Sequence, residues 1–338
     1  MALASTISAA VQRCAAEPSA EIDLWIRPYA PTVSPDRHQF LLMLKPELVL
    51  PPVGDGRRPL TRVLDVLAVQ GVGIGAVRVL SGSFVARHAV VESHYPALNR
   101  IARTGLAGMS PAAIARLDDT YSGFRAAGGR VVGAFELLSE IAEMTPFALE
   151  LLTRNTAVAK LGTGTYAIQA SVDGEDLVIL NPFHPQQVAH FTASGVAVAL
   201  LECRSDLALP TIRRDLIGAT DPMDADPNSI KGILRRERES LGLGRVSTRR
   251  NGVHMSPGAV EGMATIVRYF SADDSPIRLE ETAFGRRLVE AGLSTDTVAW
   301  AGSDPYIETE DHAGSLFELT EDMDWTDAVR FVAALDRS

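Results

Sequence analysis

The stretch "HQFLLMLKPELVLPPVGDGRRPLTRVLDVLAVQGVGIGAVRVLSG", residues 38–82, sets the expected architecture. Phe40 to Leu44 is an unbroken apolar run stopped by Lys45-Pro46, as in a strand buried on both faces. Leu60, Val63, Leu64, Val66 and Leu67 follow at helical spacing, and Gly71 ends that helix where a C-terminal glycine belongs. "VGIGAVRVLSG" reads as a second strand and "SFVARHAVVESHYPALNRIARTG" as a helix. Strand, helix, strand, helix in that order predicts an α/β sandwich.

Further along, the character changes. "SPAAIARLDDTYSGFRAAGG" and "GAFELLSEIAEMTPFALELLTRN" read as helices, and "YAIQASVDGEDLVILN" as a hairpin turning at Val172-Asp173-Gly174-Glu175, because Asp-Gly tolerates positive φ. This block is expected to be an inserted subdomain. "VAVALLECR" then returns to a strand, "ALPTIRRDLIG" to a helix ended by Gly218, and a helix begins near Asn228. The resulting expectation is an N-terminal arm over 1–37, a domain split into 38–104 and 181–270, an insertion over 105–180, and a C-terminal extension over 271–338. Two glycine patterns, "GVGIGAV" and "LGTGTY", lack the context of a phosphate-binding loop and are expected to be packing and turn glycines.

Composition narrows the function. A net charge of −10 leaves no excess of Lys and Arg to neutralise a phosphate backbone, which argues against nucleic acid and against anionic membranes as partners. Two cysteines make neither a disulfide framework nor a zinc cluster. The Ala-rich start lacks a basic segment and a continuous apolar core, so it is expected to be a short surface helix rather than a signal peptide. No run approaches the ~20 apolar residues that cross a bilayer, and the expectation is a cytoplasmic protein.

Chemistry is concentrated in four separated pieces: "FLLMLKPELV", the pair His94-Tyr95, "GATDPMDADPNSIKG" with Arg214 six residues before Thr220, and "NGVHMS" at 251–256. In that order and spacing they resemble the nucleoside diphosphate kinase family, and "NPFHPQQVAHFTASGVAVAL" adds to the likeness. The resemblance implies a ferredoxin-like antiparallel sheet with helices on one face. It implies a nucleotide-dependent phosphotransferase in which His254 takes the terminal phosphate of ATP or another nucleoside triphosphate. Lys45, Tyr95, Arg214, Thr220, Lys231, Asn251 and Ser256 would contact phosphate or ribose, and Phe183 would stack on the base. Mg²⁺ would arrive with the nucleotide, held mainly by its phosphates, so no metal ligand is expected from the protein. The partners would be a nucleotide and a small-molecule acceptor, either a nucleoside diphosphate or a more specialised metabolite. A homo-oligomer is compatible with the likeness, and a hexamer is not assumed.

The residues themselves also suit phosphoryl transfer, which needs cations around the transferring group and a nucleophile in line. Transfer through His254 is the leading reading, and its alternatives are direct transfer to a nucleoside or sugar-type acceptor without a phosphohistidine, or a nucleotide-binding protein that has lost its chemistry. The departures from the family pattern are specific. Lys231 stands for Arg, Pro257 stands where an acid is usual, and Thr265, eleven after the histidine, stands for the Glu that orients the imidazole. Thr265 is therefore the expected orienting group. The tail acids Glu308, Glu310, Asp311, Glu318, Glu321, Asp322 and Asp324 match no EF-hand spacing and are expected to form a solvated face.

Overall fold

The structure, a computed structural model, describes residues 2–31, 37–309 and 312–336. Glu310 and Asp311 of the acidic tail lie outside the described residues. The strands in chain order are β1 Asp23–Arg27, β2 His38–Leu44, β3 Gly73–Ser81, β4 Arg130–Gly133, β5 Ala159–Gly162, β6 Thr165–Val172, β7 Glu175–Leu180, β8 Ala197–Ser205, β9 Val253–Met255, β10 Tyr306–Glu308 and β11 Ala313–Ser315. They belong to two compact units, one of residues 1–84 with 194–338 and one of residues 85–193.

The first unit holds a five-stranded sheet in the order β1-β3-β8-β2-β9, every neighbouring pair antiparallel. Counted from the β9 edge, β9, β2, β8 and β3 are the fourth, first, third and second of these strands along the chain, which is the ferredoxin-like arrangement. The protein is of the α/β class. The apolar run of β2 is buried at every position. Phe40, Leu42 and Leu44 share one core with Leu60, Val63 and Leu67 of the helix Arg57–Val69 and with Ile7 and Val11 of the helix Ala2–Ala16. On the alternate face, Gln39 accepts at 2.9 Å from the backbone N–H of Ala283, which opens the helix Ala283–Glu290. The helix Ala259–Phe270, whose Gly262 lies against the Gln39 carbonyl, and the C-terminal extension thus both meet β2.

In the second unit the sheet order is β4-β7-β6-β5, parallel only between β4 and β7. The Asp-Gly turn joins β6 to β7 with φ of 51° at Asp173 and 79° at Gly174. This unit starts at Val85 and ends at Ala193 rather than spanning 105–180. The helix Pro96–Thr104 explains the earlier start, since its Ile101 and Ala102 enter the two apolar clusters of this unit.

Two helices expected from periodicity differ in form. The segment 83–105 is three helices, Gly82–Arg87, Val90–His94 and Pro96–Thr104. Ala89 takes a left-handed φ of 46°, and Pro96, lacking an N–H, opens a new helix instead of continuing one. The helix of "ALPTIRRDLIG" becomes a π-helical turn over Ile212–Ile217 before Gly218 ends it at φ 94°. Gly75 lies at a register shift between β3 and β8, where a Cβ would meet the Glu202 carboxylate at 1.8 Å, and Gly164 turns β5 into β6 with φ of 57°. Both act as packing and turn glycines.

Candidate active site

β9 is only three residues long and pairs with β2 so that His254 sits opposite Met43. Ser256 secures it. The serine is fully buried, its hydroxyl oxygen accepts from the Leu41 N–H at 3.0 Å, and its own N–H donates to the Leu41 carbonyl at 3.1 Å. Ser256 is therefore a clasp between strands rather than a group on the surface of the site. His254 is half-buried and borders a cleft of about 810 Å³ in the first unit, shared with Arg213, Arg214, Thr220, Lys231 and Pro257.

Two of the cations that line it, Lys231 and Arg213, and Lys45 nearby, act on one another. Lys231 is 7% exposed and donates to the Gly218 carbonyl at 3.2 Å. Burial, then repulsion from Lys45 and Arg213, pushes its pKa down to about 8. Lys45, at the end of β2, donates to the Asn251 side-chain oxygen at 2.6 Å, and burial lowers its pKa as well, against the attraction of Glu47. Asn251, itself buried, uses its amide nitrogen to hold the Thr220 and Thr248 carbonyls, both at 3.0 Å. The Thr220 loop depends on Gly218, because a Cβ at that positive φ would lie 2.3 Å from the Ser229 oxygen that caps the helix carrying Lys231. Thr220 itself is exposed at the cleft.

The arginine that stands deepest is not the one expected. Arg214 has a side chain 74% exposed and pairs with its neighbour Asp215 at 2.7 and 2.8 Å. Arg213 is less exposed, and it is Arg213 whose charge reaches Lys231. Motif spacing does not separate two adjacent arginines, which here lie in a π-helical turn over Ile212–Ile217.

Thr265 is fully buried and donates its hydroxyl hydrogen within its own helix, to the Glu261 carbonyl at 2.8 Å with the Gly262 carbonyl at 3.1 Å. Thr265 therefore uses its hydroxyl inside its own helix, and the acid that lies near the imidazole is one that sequence reasoning missed. Glu261 opens the helix Ala259–Phe270, and one of its carboxylate oxygens lies within 4.8 Å of a His254 ring nitrogen. Burial, then the charges of Asp304 and Glu321, raise its pKa to about 8 against the opposing pull of Arg268 and Arg213. The signal was available: Glu261 is one helical turn before Thr265 and so on the same face.

Tyr95 and Phe183 belong to the second unit. Tyr95 meets the edge of His94 at 4.5 Å between ring centres, and Phe183 meets Tyr166 at 5.4 Å. The cysteines Cys14 and Cys203 are buried in the core of the first unit, away from any site chemistry.

A strand-borne histidine thus borders a cleft lined by Lys231 and Arg213, with Lys45 acting on Lys231 from nearby. The chain is similar to nucleoside diphosphate kinases. It is 28% identical over 115 residues to the nucleoside diphosphate kinase of Pelotomaculum thermopropionicum, a match over 34% of this chain and 60% of that protein's length. Among solved structures, the apo enzyme of Encephalitozoon cuniculi aligns over 72% of this chain and 95% of its own at 15% identity and a TM-score of 0.33. An NDP kinase from Pyrobaculum aerophilum aligns over 71% of this chain and 99% of its own at 17% identity and a TM-score of 0.36. No known family's sequence profile matches the chain. Among the described residues no helix is long and apolar enough to cross a membrane.

Proposed function

We propose that this protein is a nucleotide-dependent phosphotransferase that takes the terminal phosphate of a nucleoside triphosphate onto His254 and passes it to a nucleoside diphosphate or a related specialised metabolite. The observation that carries the reading is the crowding of Lys231 by Lys45 and Arg213 beside a half-buried imidazole. Like charges held together in a partly dry cleft are relieved by an oligophosphate, and they stabilise charge on the transferring group far better there than in water.

Mg²⁺ fits this cleft as a companion of the nucleotide, since Asp224 and Asp226 on its lining offer the oxygen donors Mg²⁺ accepts. It would supply charge neutralisation between the phosphates. The chain's own chemistry is nucleophilic. A ring nitrogen of neutral His254 uses its lone pair to form an N–P bond while the bond from that phosphorus to the bridging oxygen breaks, and the nucleoside diphosphate leaves with the electron pair. An acceptor oxygen then attacks the same phosphorus and the N–P bond returns its pair to the ring. Lys231 and Arg213 balance the oxygens in flight, Lys45 and Asn251 hold the nucleotide side, and Glu261 stabilises the positive ring. Tyr95 and Phe183 are not needed for this reading of the first unit.

Incubation with γ-labelled ATP and Mg²⁺, followed by intact-mass analysis at mildly alkaline pH, tests it. One acid-labile phosphoryl group is expected on the wild type and none on His254→Ala, with ATP affinity within about threefold and turnover lost. Bound ATP with no phosphorylated protein would point to direct transfer or to a binding protein without chemistry. The rate of phosphoryl gain should also climb between about pH 7 and 9 as Glu261 ionises, and Glu261→Gln should flatten that climb.

A further inference from the structure

The C-terminal extension contributes to the same cleft, through Glu321 and Asp322. These residues lie between the helices Leu316–Leu319 and Trp325–Leu335. The connection is held in place: Thr320 is fully buried and donates its hydroxyl to the Leu316 carbonyl at 2.8 Å, and Asp324 caps the following helix through the Thr326 N–H at 3.0 Å. Gly258, next to the cleft residue Pro257, fits only because it lacks a side chain, as a Cβ would lie 2.9 Å from the Thr320 carbonyl oxygen.

From that anchored position both carboxylates reach Arg213. One guanidinium nitrogen pairs with Asp322 at 2.6 Å and the other with Glu321. A guanidinium fork that receives two anionic oxygens is arranged as it would be on a phosphate. Resting on the phosphotransferase reading above, we propose that Glu321 and Asp322 are an internal counter-ion for Arg213, a tethered competitor that an incoming oligophosphate must displace. A ligand then binds with its intrinsic affinity reduced by the fraction of molecules in which Arg213 is released. Arg213 and Glu321 are each 33% exposed and Asp322 is 81% exposed, so the contact is a partly solvated one and the penalty is about fivefold in affinity.

Calorimetric titration with Mg·ATP, and with inorganic triphosphate alone, into the wild type, E321Q/D322N, R213Q and the triple variant tests this. About fivefold tighter binding is expected in E321Q/D322N, weaker binding in R213Q, and no recovery in the triple variant, because the carboxylates act through Arg213. D322N alone, at a site mostly in water, should give part of the gain without disturbing the fold. Unchanged affinity in E321Q/D322N and D322N, or a gain that survives R213Q, would overturn the counter-ion while leaving the phosphohistidine result untouched. Absence of triphosphate binding in every variant would overturn this inference and the functional reading together.

Discussion

Two buried charged regions of the first unit follow opposite rules. Around Glu202, on the central strand β8, every charge has its partner. One carboxylate oxygen accepts from Gln39 at 2.6 Å and Arg204 at 2.5 Å, and the other from the Ala76 N–H at 3.2 Å. Arg204 goes on to the Ala30 carbonyl and Gln39 takes the Ala283 N–H. Around His254 the charges are only partly balanced: Lys231 faces Lys45 and Arg213, and Glu261 faces Asp304 and Glu321, while Arg213 is held by Glu321 and Asp322. A paired network fixes a fold, whereas a region of like charges only partly balanced keeps perturbed groups that a ligand of opposite charge would favour.

The comparison can be broken at either end. Glu202→Ala should cost about 3–5 kcal/mol in denaturant unfolding, since it strands Arg204 and Gln39 in the sheet; a loss below about 1 kcal/mol would deny that the network holds the fold. Lys231→Met should do the reverse, raising stability by about 1–3 kcal/mol at pH 7 while abolishing ATP binding. The sign follows from its lowered pKa. A lysine at about 8 in the fold and 10.5 unfolded gives full stability only above 10.5, where it is neutral in both states, and loses it as pH falls from 10.5 to about 8. The advantage of the methionine should accordingly fade above about pH 10, readable as converging unfolding midpoints. Arg214→Gln sharpens the contrast at the small end: an exposed pair with the adjacent Asp215 should leave the unfolding midpoint unchanged.

Much of this was legible in residues read locally. The β2 strand, the Asp173-Gly174 turn and the helix after His254 announce themselves by apolar runs, positive-φ residues and spacing, all short-range signals. The convergence of Lys231 and His254 on one cleft followed motif order. What was hidden had a physical reason in each case. Arg213 was passed over because Arg214 was chosen by its motif spacing to Thr220, and that spacing does not say which of two adjacent arginines faces inward. Glu261 escaped because a carboxylate was sought at a fixed spacing, although a neighbouring helical turn presents the same face. The hold of Glu321 and Asp322 on Arg213 joins residues about a hundred positions apart, and no local pattern encodes it.

Asn251 gives the site a mechanical property. Its single planar amide grips Lys45 on one edge and the Thr220 and Thr248 carbonyls on the other. A ligand that draws the lysine ammonium toward itself unloads one edge of a rigid plate whose other edge stays fastened. The plate can answer only by tilting, and the two loops must travel with it. If a ligand binds beside β2 as proposed, Asn251 would be the yoke that carries its occupancy to residues 220 and 248, whose amide resonances should then shift on ligand addition, and unchanged resonances would deny the link.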